Sequence, residues 1–141
     1  MARGQVHRHA TSLLYNTINM ITHELLDDFD RYLADRSLTY DGVVIGGAAL
    51  ILLGVISRAT EDVDCLDPRI PPPIKAASVE FSRGHGLKED WFNNGPESLK
   101  RDLPEGWGSR LSPLYKGKAL DLSTLGRSDL LRSKLFAYCD R

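Results

Sequence analysis

Leu14, Ile18, Ile21, Leu25, Phe29 and Tyr32 recur three or four positions apart. That spacing predicts a helix over residues 12–36 with one apolar face. Asn16, Glu24, Asp27, Asp30 and Arg31 fall on the opposite face, which is expected to be solvated. Tyr40-Asp41-Gly42 then reads as a turn, and Val43-Val44-Ile45 as a short buried strand of β-branched residues. Gly46-Gly47 ends that strand. Ala48 to about Ile56 predicts a compact apolar helix, within which Gly54 lowers helix propensity and permits close packing. Val63 to Leu66 predicts a second strand whose alternate residues face opposite ways.

Pro68 and Pro71-Pro72-Pro73 exclude a regular element until a helix that begins at Pro73 and reaches about Arg83, closed by Gly84 and Gly86. Residues 87–110 are rich in Gly, Pro and Asn and predict an ordered loop with a short helical turn. Trp91, Phe92 and Trp107 are expected to anchor it as core plugs, with base stacking as the alternative. "LSPLYKGKALDLSTL" predicts a hairpin turning near Lys116-Gly117-Lys118. Ser128 is expected to cap a last helix, with Leu131, Leu135 and Tyr138 on one face. That helix gathers Lys134, Asp140 and Arg141 and is expected to continue past Arg141. The order is helix, strand, helix, strand, helix, hairpin, helix. It implies a small α+β or α/β sheet covered by helices, with α+β, a small mixed β-sheet flanked by helices, as the expectation. With no repeat or low-complexity linker, residues 1–141 are expected to form a single domain, with 1–39 as a helical segment packed on it.

Composition narrows the classes. The chain has 141 residues, 42% apolar and 26% charged, which suits one soluble globular domain. A formal net charge of -1 gives no global attraction to nucleic acid or an anionic membrane. A local basic patch from Arg101, Arg110, Lys116 and Lys118 could still contact RNA, although scattered surface charge is the plainer reading. Cys65 and Cys139 form no C-x-x-C pair, and His7, His9, His23 and His85 show no zinc spacing with them. A reducing cytosol, and so a cytoplasmic protein, is the simplest expectation. The basic start "MARGQVHRHA" lacks the apolar core of a signal peptide. The longest strongly apolar run, Val43–Ile56, carries three glycines and is too short to span a bilayer, so no membrane partner is expected.

The stretch from Val43 to Leu66 carries the candidate chemistry. Between a strand and a helix, Gly46-Gly47 offers backbone N–H groups with no Cβ in the way, a place where phosphate can approach. Alone, such a pair is more often a tight turn. Asp62 and Asp64 sit two apart in a strand, so both carboxylates face the same way. Adjacent carboxylates repel unless a cation lies between them, and Mg²⁺ takes such hard oxygen ligands. Alone, a D-x-D is usually a solvated edge.

Together, "IGGAALILLGVISRATEDVDCL" resembles the DNA polymerase β-like nucleotidyltransferase superfamily, in which a Gly-Gly or Gly-Ser turn opens a helix and a D-x-D/E strand holds Mg²⁺. Its GG-A-L, small helix and R-x-T-x-D-V-D order looks most like the AbiEii-like, toxin-type bacterial nucleotidyltransferases, and "LGRSDLLRSKLFAYCDR" adds to the likeness. The resemblance implies Mg²⁺-dependent transfer of a nucleotidyl group from a nucleoside triphosphate to an acceptor hydroxyl on RNA or protein, in a toxin–antitoxin or phage-defence setting. It implies that Asp62 and Asp64 bind the catalytic metal and that Gly46 and Gly47 cradle the β- and γ-phosphates. It also implies a third carboxylate on a later strand, for which Asp121 is the candidate; its alternative is a solvent-facing edge residue. Arg58 and Thr60 are candidate helpers in nucleotide binding, with a salt bridge to Asp62 or Glu61 as the alternative for Arg58. Lys134 could face the triphosphate or be a solvated helix charge. Two other functions compete: a nucleotidyltransferase fold without turnover that regulates a partner, and an antibiotic-modifying transferase, for whose added helical domain the chain leaves little room.

Overall fold

The structure, a computed structural model, describes residues 20–54 and 60–132, with the backbone alone for 131 and 132. The first described helix, α1, runs His23–Asp35. The Thr22 hydroxyl accepts from the Leu25 N–H at 3.0 Å and caps it. The predicted helix began earlier. Residues 12–19 lie outside the described residues, and Ile21 instead donates its N–H to the Thr60 carbonyl at 2.9 Å. Leu25, Leu26, Phe29 and Leu33 form the buried face. One residue of the expected solvated face is also buried: Asp30, whose carboxylate accepts the N–H groups of Lys118, Ala119 and Leu120 at 3.1, 2.7 and 2.8 Å.

Strand β1 is Tyr40–Ile45, longer than predicted. Tyr40-Asp41-Gly42 is strand rather than turn because Tyr40 to Val43 pair in parallel with the later strand β5, Leu120–Thr124. The Tyr40 ring lies over Gly42, where a Cβ would overlap it, and its hydroxyl donates to the Pro68 carbonyl at 2.7 Å. Helix α2, Gly47–Leu52, stops short of Ile56; Leu53 and Gly54 form a turn, and residues 55–59 lie outside the described residues. Strand β2, Val63–Asp67, runs antiparallel to β1. Helix α3, Pro72–His85, starts one residue before the expected Pro73 and outlasts Arg83. Two prolines fit in its first turn, where N–H groups have no helical partner anyway. Gly84 is therefore helical, and Gly86 alone caps the end in the left-handed conformation. His85 belongs to this helix and stacks on Phe81 with ring centroids 3.8 Å apart.

The loop region holds strand β3, Phe92–Asn93, and two 3₁₀ turns, Glu97–Asp102 and Trp107–Ser109. Trp91 and Phe92 are fully buried, and the Trp91 indole donates to the Ser78 carbonyl at 2.9 Å. Both are core residues, as expected. Strand β4, Ser112–Lys116, turns through Gly117 into β5. Helix α4, Arg127–Arg132, begins before Ser128, which falls in its first turn instead of capping it. Leu135 and Tyr138 lie outside the described residues, as does the side chain of Leu131.

The five strands lie in the order β3-β2-β1-β5-β4. β1 pairs parallel with β5 and antiparallel with β2, so this is the mixed sheet with flanking helices that the element order implied. On one face, Phe29 of α1 and Phe81 of α3 pack with Trp91 and Phe92 against Tyr40, Val44 and Leu120. Phe29 alone meets three of these rings at centroid distances of 5.0 to 5.3 Å. On the other face a smaller cluster joins Val43, Ile45, Leu50, Leu66, Leu125 and Leu130. Among the described residues no helix is long and apolar enough to cross a membrane.

Candidate active site

The site grows from the end of β1. Ile45 leads into Gly46, with φ 92° and ψ -165°, a conformation open essentially to glycine alone. Replacing Gly46 by alanine is expected to cost about 1–3 kcal/mol of stability, read as a fall in urea midpoint at unchanged m-value. Gly46 is buried and Gly47 half-buried. A Cβ on Gly47 would stand 3.3 Å from the Thr60 hydroxyl oxygen, so Thr60 sits directly beside the turn.

The register of β2 brings the carboxylates to the same place. Asp64 pairs with Ile45, the residue before the turn, and antiparallel pairing carries Asp62 past the end of β1. Alternation sends Val63 and Cys65 into the core under α1 and α3, and Asp62 and Asp64 to the opposite face. Burial keeps Cys65 inert, with its thiol pushed up to about 12.

Each carboxylate has one partner from the segment after α3. The Lys88 ammonium lies 3.1 Å from Asp62 Oδ1, and the Asn93 amide donates to Asp64 Oδ1 at 3.2 Å. Burial, with the charges of Asp62 and Asp90 adding to it, pushes the Asp64 carboxyl above its ordinary range against the Asn93 hydrogen bond and Lys88. The hydrogen bond and charge of Asp62 push the Lys88 ammonium up in turn. Sequence reasoning missed both partners. Asn93 carried a signal in the turn-forming run Asn93-Asn94-Gly95-Pro96, whereas nothing in Leu87-Lys88-Glu89 marks Lys88.

Asp121 is placed elsewhere. It faces the same side of the sheet, but its parallel partner is Asp41, four positions before Ile45. Four strand residues span about 13 Å. There its carboxylate pairs with Lys116 at 2.7 Å, at a cleft of about 240 Å³ also lined by Asp41, Val43, Asp67, Leu111 and Ser123. The expectation that Asp121 stands beside Asp62 and Asp64 is therefore not met, because parallel pairing sets Asp121 opposite Asp41, at the far end of β1 from the glycine turn. Among the described residues no three His, Cys, Asp or Glu side chains are grouped to hold a metal ion. Arg58 and Lys134 lie outside the described residues.

The basic residues Arg110 and Lys116 are each engaged with a carboxylate. Arg110 grips the buried Asp129 through two hydrogen bonds of 3.0 and 2.8 Å, fixing the start of α4 to the loop before β4. Lys116 holds Asp121.

A family model described as "Nucleotidyltransferase of unknown function (DUF6036)" matches residues 22–141. No curated protein and no solved structure gives a match.

Proposed function

Because the chain belongs to this family of nucleotidyltransferases of unknown function, we propose that it transfers a nucleotidyl group from a nucleoside triphosphate to an acceptor hydroxyl on RNA or protein, with Mg²⁺ held by Asp62 and Asp64. One observation carries the reading: Asp64 in β2 and Asp62 just before it bring their carboxylates together where the partner strand enters the glycine turn. The donors are hard oxygens, and the pair already draws in a positive charge, Lys88. That chemistry fits a hard divalent ion. When bound, Mg²⁺ would supply charge neutralisation at the reacting phosphate.

The chain's own groups would do the rest. Backbone N–H groups at Gly46 and Gly47 would hold the β- and γ-phosphates, and the Thr60 hydroxyl, beside Gly47, would steady a phosphate oxygen. Asn93 keeps the Asp64 carboxylate oriented. Arg58 and Lys134 would add positive charge against the triphosphate. The acceptor oxygen would attack the α-phosphorus and pyrophosphate would leave, with most of the acceleration coming from positioning. A toxin–antitoxin or defence role is the finer form of this reading and rests on the R-x-T-x-D-x-D likeness.

The placement of Asp121 favours a second reading, a nucleotide-binding module without turnover. One experiment separates the two. Protein, Mg²⁺ and each α-labelled triphosphate are incubated with total RNA or lysate. Transfer is expected from the wild type and not from a variant carrying Asp62→Asn and Asp64→Asn. Triphosphate bound without any transfer supports the module, and equal labelling by both proteins overturns the enzyme.

A further inference from the structure

The two partners of the carboxylate pair differ in kind. Asn93 is neutral and anchored: its amide donates to Asp64 and to the Asp90 carbonyl at 3.1 Å, and its side-chain oxygen accepts the Gly95 N–H at 2.7 Å. Lys88 is charged and tethered only by its own chain. Its ammonium lies 3.1 Å from one oxygen of Asp62 and 3.5 Å from the other. Its side chain is 53% exposed, so it can leave Asp62 for water with little loss of packing.

We infer that Lys88 is a built-in counter-cation of the acidic pair, holding Asp62 in the nucleotide-free protein and giving way when a divalent ion binds. The inference rests on the metal-binding reading of Asp62 and Asp64 and deepens it. An ammonium this close to Asp62 competes with a dication for the same oxygens and repels it. A divalent ion arriving alone must displace Lys88 from Asp62, so that ion and ammonium then share the same nearby carboxylates. An ion arriving with a triphosphate brings several negative charges that offset both cations. Lys88 thereby couples the two ligands: the ion binds weakly by itself and tightly with nucleotide, which is a coupling free energy between sites.

The test reads Mn²⁺ binding to nucleotide-free protein by electron paramagnetic resonance of the free ion. Lys88→Met, which keeps the stem and removes the charge, is expected to tighten Mn²⁺ roughly two- to fivefold, the scale of one partly exposed ion pair. Lys88→Arg is expected to stay close to the wild type. Unchanged or weaker Mn²⁺ binding in Lys88→Met, with binding still dependent on Asp62 and Asp64, overturns the inference and leaves the metal reading standing. Mn²⁺ binding by Lys88→Met that survives Asp62→Asn and Asp64→Asn, or that is absent altogether, overturns both. Circular dichroism of each variant shows that it is folded.

Discussion

Asp64→Asn is expected to lower nucleotidyl transfer by at least about a thousandfold and at the same time to raise the melting temperature of the ion-free protein. The first effect follows from the proposed function, in which Asp64 is one of the charged ligands at the reacting phosphates. The second follows from the surroundings of Asp64. Burial, with Asp62 and Asp90 nearby, makes its ionised form costly, so the folded protein holds this proton more tightly than the unfolded chain does. A raised carboxyl works against folding once the pH passes its folded value, and the cost vanishes in acid, where both states are protonated. Asparagine keeps the shape and an acceptor for Asn93 without that cost. The stability gain should therefore grow as the pH rises through the folded value and disappear on acidification. Asp62→Asn breaks only a partly exposed ion pair with Lys88, worth about 0–1 kcal/mol, so it should lose transfer with little change in melting. An Asp64→Asn protein that transfers normally would remove this residue from the chemistry.

Asp30→Ala is expected to cost about 3–5 kcal/mol, which is a large share of a domain's total stability. Three backbone N–H groups, from Lys118, Ala119 and Leu120, lose their acceptor, and no water can easily replace it at Ala119 and Leu120, which are buried. Asp30→Asn retains one acceptor oxygen and should lose about half as much. Burial alone would raise this carboxyl, but the N–H groups of Ala119, Leu120 and Lys118 outweigh it and hold it below the ordinary range. A depressed carboxyl stabilises the fold fully above its unfolded value, and that contribution is lost as the pH falls through the folded value. Urea denaturation of wild type and Asp30→Ala should thus differ most at neutral pH and draw closer in acid, where the neutral carboxyl keeps an acceptor but loses its charge. A difference that does not depend on pH would mean that the carboxylate is not the stabilising group.

Local patterns made much of this molecule readable. Val43-Val44-Ile45 and Val63 to Leu66 are β-branched or apolar enough to be strands, and the glycine pair marks the passage from strand to helix, with Gly46 in the bend and Gly47 opening the helix. The hairpin around Gly117 was legible for the same reason. What escaped depends on partners far along the chain. Tyr40-Asp41-Gly42 has turn chemistry, yet the edge offered by β5 makes it strand. Asp30 looks like any polar helix residue, because a helical wheel cannot tell water from the backbone of a distant hairpin. Asp121 alternates correctly in β5, but alternation fixes a face and says nothing of register, and it was register that set it near Asp41. The polar partners of Asp62 and Asp64 come from a segment whose path is decided by Trp91 and Phe92 filling the core.

The placement of β1 between β2 and β5 has a consequence for synthesis on the ribosome. Its neighbour on one side follows within about twenty residues, whereas β5 starts at Leu120, and the Asp30 clasp closes on a backbone group 89 positions away. Until the last part of the chain emerges, β1 has a bare hydrogen-bonding edge and α1 has a buried-type carboxylate with nothing to hold. Nascent chains stalled before residue 119 are therefore the species most prone to stick to one another and to need a chaperone.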